Sequence, residues 1–278
     1  MLECSDMDGD KSYLMENLEE ILRLEVKTDP EAVRKQATWC GLKPGLRVLD
    51  AGCGPGKVTA ILYEMIQPGG TILGVDYSEE RIRHAAKHYG KGADIAFQTH
   101  DLRDPLDGMG PFDLIWIRFV LEFNRAESLD IVKNLTAVLK PGGYLCLLDL
   151  DHNCLNHFEM PSKVEKIIFQ AMELADHEYD FDPYSGRKLY SYLYDLAYKD
   201  IQADLLAHHL IYGKISEGDI FNWTKKVEIA FQRVKKLFKD YPGGHDAFLT
   251  DFTEFLLDPR RFTYTPLILC KGRKPLTS

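Results

Sequence analysis

Residues 48 to 56, Val48-Leu49-Asp50-Ala51-Gly52-Cys53-Gly54-Pro55-Gly56, constrain this chain more than any other stretch. An apolar run through Leu46, Val48 and Leu49 ends in an acid, and glycines then alternate with other residues before a helical pattern begins. That is the order of a buried strand, a tight turn and a helix N-terminus. The glycines admit positive φ and remove side chains, so a ligand can approach the backbone. Spacing excludes two neighbouring motifs. A dinucleotide fingerprint needs its third glycine where Lys57 stands. A phosphate-binding P-loop needs Ser or Thr after Gly56-Lys57, and a glycine at the position of Ala51; the chain has Val58 after Lys57.

Around this loop the pattern alternates between strands and helices. Leu14, Leu18, Ile21, Leu22 and Val26 recur at helical spacing, giving a helix from about Lys11 to Leu24. Asp29-Pro30 supplies an N-cap and an N1 proline for a second helix through about Cys40. After the loop come a helix over 58–66, a Pro68-Gly69-Gly70 turn and the strand Thr71–Asp76. A helix over Glu79–Tyr89 follows, capped by Ser78, then a strand at Ile95–Thr99. Residues 112–119 are continuously apolar apart from Asp113 and Arg118, as a strand covered on both faces should be. A helix over 129–139, a Lys140-Pro141-Gly142-Gly143 turn and a strand through Leu150 complete the alternation. This order predicts an α/β fold with an open, mostly parallel sheet, and ligands in such a sheet sit beyond the carboxyl ends of the strands.

Composition narrows the function classes. The net charge of -9 over 278 residues argues against a broad phosphate-binding surface, so nucleic acid is not the expected partner. Six cysteines contain no C-x-x-C pair, so no zinc ribbon or thioredoxin-type site is expected. Neither a signal-peptide pattern nor an apolar run of the ~20 residues needed to span a bilayer is present, which makes the expectation a cytoplasmic protein with reduced thiols. Asp6, Asp8 and Asp10 resemble the start of a calcium loop, but Lys11 and Asn17 occupy its glycine and glutamate positions, leaving a mobile terminus as the reading.

The glycine loop, the acid ending the second strand and the L-K-P-G-G turn before an apolar strand together resemble class I S-adenosylmethionine-dependent methyltransferases. Within that family they are most similar to small-molecule enzymes of the ubiquinone and menaquinone biosynthesis type. The resemblance covers about residues 45 to 150, and more loosely 10 to 45 and 180 to 212. It implies a Rossmann-like, seven-stranded, mostly parallel sheet with helices on both faces and a helical insertion before the last strand. It also implies S-adenosylmethionine as cofactor, S-adenosylhomocysteine as product, and a monomer or homodimer. The implied cofactor residues are Asp50, Ala51, Gly52, Cys53, Gly54 and Gly56 in the loop, and Asp76 and Tyr77 at the ribose. Asp101 and Leu102 would meet the adenine, with Asp104 the alternative acid, and Arg118 and Phe119 the sulfonium end. Arg23 matches an N-terminal arginine that holds the methionyl carboxylate in some members; the other reading is a solvated helix arginine.

Residues 151 to 278 carry the substrate question. Helices are expected over 161–175 and 186–197, strands over 201–212 and 262–270, and a helical insertion between those strands. The division expected is 1–44, N-terminal helices; 45–212, the core; 213–260, a lid; and 261–278, the final strand and tail. In the insertion Trp223, Val227, Ala230, Phe231, Val234, Leu237 and Phe238 mark one face and Lys225, Lys226, Arg233, Lys235, Lys236 and Lys239 another. Such a face binds membranes or acidic partners, or is a packed helix's solvated side. Candidate substrate residues are Glu122, Asp149, Asp151, His152, Tyr190 and Tyr194. His152 is the candidate catalytic base, or else a loop histidine bonded to a neighbour. His208 and His209 alternate along a strand, so no metal is expected from them. The reading is a methyltransferase of a small molecule. Its alternatives are a non-catalytic cofactor-binding or partner-activating subunit, and a protein or RNA methyltransferase.

Overall fold

The computed structural model describes residues 18–233 and 235–276. The readings on Asp6, Asp8, Asp10, Leu14 and Val234, and on the side chains of Leu18, Ala230, Phe231, Arg233 and Lys235, lie outside the described residues.

Local sequence signals set most boundaries. Helix α1 spans Leu18–Lys27 and α2 spans Pro30–Cys40. The Asp29 side chain accepts from the amides of Glu31 and Ala32, satisfying donors that a helix start leaves open. Strand β1 (Arg47–Ala51) leads through the loop to α3 (Lys57–Met65), β2 (Thr71–Asp76), α4 (Glu79–Tyr89) and β3 (Ile95–Thr99). Then come β4 (Phe112–Arg118), α5 (Ser128–Ala137), β5 (Leu139–Leu150), the two-residue β6 (His157–Phe158) and α6 (Ser162–Glu178). The chain ends with α7 (Leu189–Asp195), β7 (Lys199–Tyr212), α8 (Glu217–Arg233), α9 (Gly244–Leu257) and β8 (Phe262–Arg273).

The sheet runs β3-β2-β1-β4-β5-β8, with β7 and β6 also paired to β8. Strands β1 to β5 are parallel, and β8 runs antiparallel between β5 and β7. Eight strands replace the expected seven because His157 and Phe158 pair with the start of β8. Strand order reverses between β1 and β4, which opens a crevice at the carboxyl end of β1. The apolar run of β4 serves two layers. Leu114 and Trp116 pack with α2 and α3 on one face, and Ile115 and Ile117 with α5 and α7 on the other, following the two-residue period.

Two local readings are corrected. Residues 140–143 are not a free turn but part of β5, because the ladder already begins at Leu139 opposite Phe112 and absorbs the glycines in a register shift. The helix expected over 186–197 is a 3-10 turn at Ser185–Lys188 followed by the short α7.

A third apolar cluster reaches the sheet through Ile211 of β7 and is otherwise built from loop and helix residues. It joins Val164, Ile167 and Ile168 of α6 to Trp223 and Val227 of α8 and Phe248, Phe252 and Phe255 of α9. The insertion therefore shares its core with α6, which precedes β7 in the chain. Its lysines do not form one solvated stripe: Lys225 pairs with Glu228, Lys236 with Glu178 on α6, and Lys226 points inward to Asn153. No described helix is long and apolar enough to cross a membrane.

Candidate active site

The crevice is a cavity of about 550 Å³ beyond the carboxyl ends of β1, β2 and β4. Its floor is the glycine loop. Gly52 has φ of +76°, and a Cβ there would lie 2.2 Å from Cγ2 of Val120, so only glycine fits. The amides of Gly52 and Cys53 both donate to Val75 O, which ties the loop to β2. Gly56, with φ of +95°, caps α3 against α4: a Cβ would meet Cβ of Ala85 at 2.7 Å.

Asp76, at the end of β2, is buried and shaped for an acceptor role. Its Oδ2 accepts from the Gly54 amide at 2.9 Å and its Oδ1 from the Ser78 amide at 3.0 Å, while Arg81 lies 3.7 Å away. The loop and the acid thus hold one another in place. Gly52, Cys53, Gly54, Asp76 and Tyr77 border the cavity. Asp50, Ala51 and Gly56 do not; they sit behind it. Asp50 is buried, accepts from the Thr59 hydroxyl at 2.6 Å, and is pushed up to about 7 by desolvation, against the Thr59 bond and the Arg118 charge.

Asp101 and Leu102 lie on the wall beyond β3. The Asp101 carboxylate is held by a bidentate contact from Arg103, 2.9 Å from Nε to Oδ1 and 2.5 Å from Nη2 to Oδ2. That contact holds the carboxyl below its ordinary range. Asp104 is not among the lining residues.

At the far end the chain leaves β4 through Phe119, whose φ is +59°. The Arg118 guanidinium lies 4.0 Å from the Phe119 ring centroid, and its buried Nε has no hydrogen-bond partner. Burial lowers its pKa to about 10, opposed by the charges of Asp50, Asp149 and Asp29. Arg23 is not the solvated arginine of the alternative reading: it is buried and donates to Oδ1 of Asn222 on α8 at 2.9 Å.

The substrate candidates divide. Glu122 lines the cavity, and its Oε2 accepts from Nδ2 of Asn153 at 2.6 Å. Asp149 is buried beneath it and accepts from the amides of Glu122 at 3.1 Å and Leu150 at 2.9 Å. Desolvation raises both carboxyls; the Glu122 charge raises Asp149 further, while Lys226, Lys27 and Arg23 oppose the rise at Glu122. Asp151 and His152 do not reach the cavity. Asp151 is paired with Arg187 at 2.8 Å, and His152, with φ of +47°, turns its ring against Tyr184. That turn delivers Asn153 and Cys154 to the wall instead.

Tyr190 and Tyr194 also stand outside. They are 50% and 65% exposed on the outer side of α7, stacked on each other at 6.0 Å. Tyr194→Ala is therefore expected to leave ligand binding within about threefold and stability within about 0.5 kcal/mol, read by calorimetry and a denaturant midpoint.

Among the lining residues that the sequence reading did not place at the site are Asn153, Lys226 and His209. Lys226 follows Trp223 by three positions, so it borders the buried face of α8, and that spacing was a usable signal. His209 had none. Its φ of +50° and a register shift between His208 and Ile211 break the alternation of β7. The two imidazoles consequently lie side by side, their centroids 3.8 Å apart and their planes tilted by 37°, instead of facing opposite sides. Among the described residues no group of His, Cys, Asp or Glu is arranged to hold a metal.

Residues 48–143 of the chain match the family model described as methyltransferase domain. More particularly, the chain is 33% identical over 114 residues to demethylmenaquinone methyltransferase of Lactococcus lactis, covering 40% of this chain and 44% of that protein. It is 33% identical over 109 residues to the ubiquinone biosynthesis O-methyltransferase of a Caulobacter species, covering 38% and 42%. The matched segments thus span less than half of these two relatives. Among solved structures, phosphoethanolamine N-methyltransferase 2 of Haemonchus contortus superposes with a TM-score of 0.57 at 15% identity, over 92% of this chain and 56% of that one. At that identity the likeness is one of fold.

Proposed function

We propose that this chain is an S-adenosylmethionine-dependent methyltransferase acting on a small molecule. The observation that carries the reading is Asp76: a buried carboxylate at the end of β2, tied to the glycine loop and bordering a cavity of about 550 Å³. The residues present fit the cofactor. Asp76 can accept from ribose hydroxyls. Leu102 offers an apolar surface to adenine beside Asp101, and the Gly52–Gly54 backbone leaves room for the methionyl chain. The partnerless, buried Nε of half-buried Arg118 suits a carboxylate.

S-Adenosylmethionine, when bound, supplies an activated methyl group. The chain's own part is alignment and exclusion of water: α1 and α8 close the cavity, and Phe119, Phe123 and Phe181 give it apolar walls. Because His152 lies outside, catalysis is not assigned to it.

The names of the relatives support a small acceptor. The acidic balance and the buried, unbridged cysteines among the described residues support a cytoplasmic monomer or homodimer working without nucleic acid. The divisions 1–44, 45–212, 213–260 and 261–278 are retained as functional units, with 213–260 as the lid.

Calorimetry with S-adenosylmethionine and S-adenosylhomocysteine tests the proposal. One site per chain for each ligand is the expected result, and failure of both to bind would overturn it.

A further inference from the structure

The end of the cavity farthest from Asp101 is built differently from the rest. Three cations elsewhere on its walls are matched by acids: Arg81 lies by Asp76, Arg103 by Asp101 and Arg125 by Asp176. At the far end Lys226 donates to an amide oxygen, Oδ1 of Asn153, at 2.9 Å, and its ammonium stands 5.6 Å from the Trp223 ring centroid. The other side of that amide donates to Glu122, so Asn153 bridges the ammonium and that carboxylate. An ammonium has three donors, and one bond to an amide leaves two to be used.

His209 borders the same space from β7, and its buried Nε2 has no partner. Burial, then the charges of Lys27, Lys226, Arg23 and Arg118, hold this imidazole well below its ordinary range, and the neighbouring His208 is held down likewise. It is thus a neutral side chain with an unused polar atom among cations. A buried polar atom left unpaired costs free energy, and an anion accepting from it would remove that cost.

We propose that this end of the cavity is an anion subsite, in which Lys226 Nζ and His209 Nε2 bind a carboxylate carried by the methyl acceptor. The identification of the subsite as the acceptor's rests on the methyltransferase reading. The body of such an acceptor is apolar, because Phe119, Phe123, Met172 and Phe181 line the adjoining space. The carboxylate also offsets the positive charge that a sulfonium brings into a cavity already rich in cations.

The test uses 1-naphthoate and its uncharged isostere 1-naphthamide, titrated into the full chain with and without saturating S-adenosylhomocysteine. Naphthoate is expected to bind at least about tenfold more tightly than naphthamide. Lys226→Met is expected to erase that preference while leaving naphthamide binding unchanged, and Lys226→Arg to restore part of it. His209→Phe should lower naphthoate affinity several-fold with the same selectivity for charge. Equal affinity for the two probes, no naphthoate binding in either state, or equal weakening of both probes in Lys226→Met would overturn the subsite. If Lys226→Met instead weakens S-adenosylhomocysteine, the ammonium serves the cofactor and the proposal is wrong. Failure of the wild-type chain to bind S-adenosylhomocysteine would sink the methyltransferase reading alone, because the charge preference is also measured without it.

Discussion

Asp76→Ala is expected to weaken S-adenosylhomocysteine binding by at least about 100-fold. Hydrogen bonds to a charged group contribute roughly 1.5–3 kcal/mol each, and two ribose hydroxyls donating to one carboxylate therefore account for about two to four powers of ten. Asp76 has further duties, since Gly54 and Ser78 both donate to it. The alanine variant leaves those buried amides without acceptors, so the loop loses its tie to β2 as well as its ligand contact. Asp76→Asn separates the two effects: it keeps an acceptor for one amide while removing the charge. The asparagine variant is expected to fall between wild type and alanine in calorimetry, with a denaturant midpoint close to wild type. Wild-type affinity in the alanine variant would remove Asp76 from the ligand site.

The strand and helix order was legible because each element carried a local signal that packing did not override. The Asp29-Pro30 cap, the Ser78 cap and the two-sided apolar run of β4 all fall where the sequence places them. The glycine-loop end of the cavity was legible for a related reason: residues at the carboxyl ends of neighbouring parallel strands converge whatever the rest of the chain does. The far end was not. Its side chains come from α6, β7, α8 and the segments after β4 and β5, which are distant in sequence, and single backbone angles decide which residue faces inward. His152 and His209 show both outcomes. Each has a positive φ, and this turns His152 out toward Tyr184, while His209 borders the cavity. No periodicity records such an angle for a residue other than glycine. The stacked tyrosines of α7 illustrate the converse, since aromatic residues in an amphipathic pattern do not disclose which of them meets solvent.

Replacing Asp50 by asparagine should stabilise the chain at pH 8 and do little near pH 4. The carboxyl is raised from 3.8 to about 7, chiefly by desolvation, so the folded chain keeps this proton over a window in which the unfolded chain has lost it. Stability contributed by the group is present in full below the unfolded value, falls as pH rises through that window, and levels off above about 7. The whole interval corresponds to about 4 kcal/mol. Asparagine retains an oxygen for the Thr59 hydroxyl without ever ionising, so it escapes the loss. Urea midpoints at the two pH values measure the difference directly, with a gain of a few kcal/mol expected at pH 8 and about 1 kcal/mol or less at pH 4. The carboxyls of Glu122 and Asp149 are raised in the same direction, but they are common to both proteins and cancel in the comparison. A variant less stable than wild type at pH 8 would reverse the argument. It would mean that the ionised Asp50 stabilises the buried Arg118 guanidinium by more than its own desolvation costs, and that the two form a working ion pair behind the glycine loop.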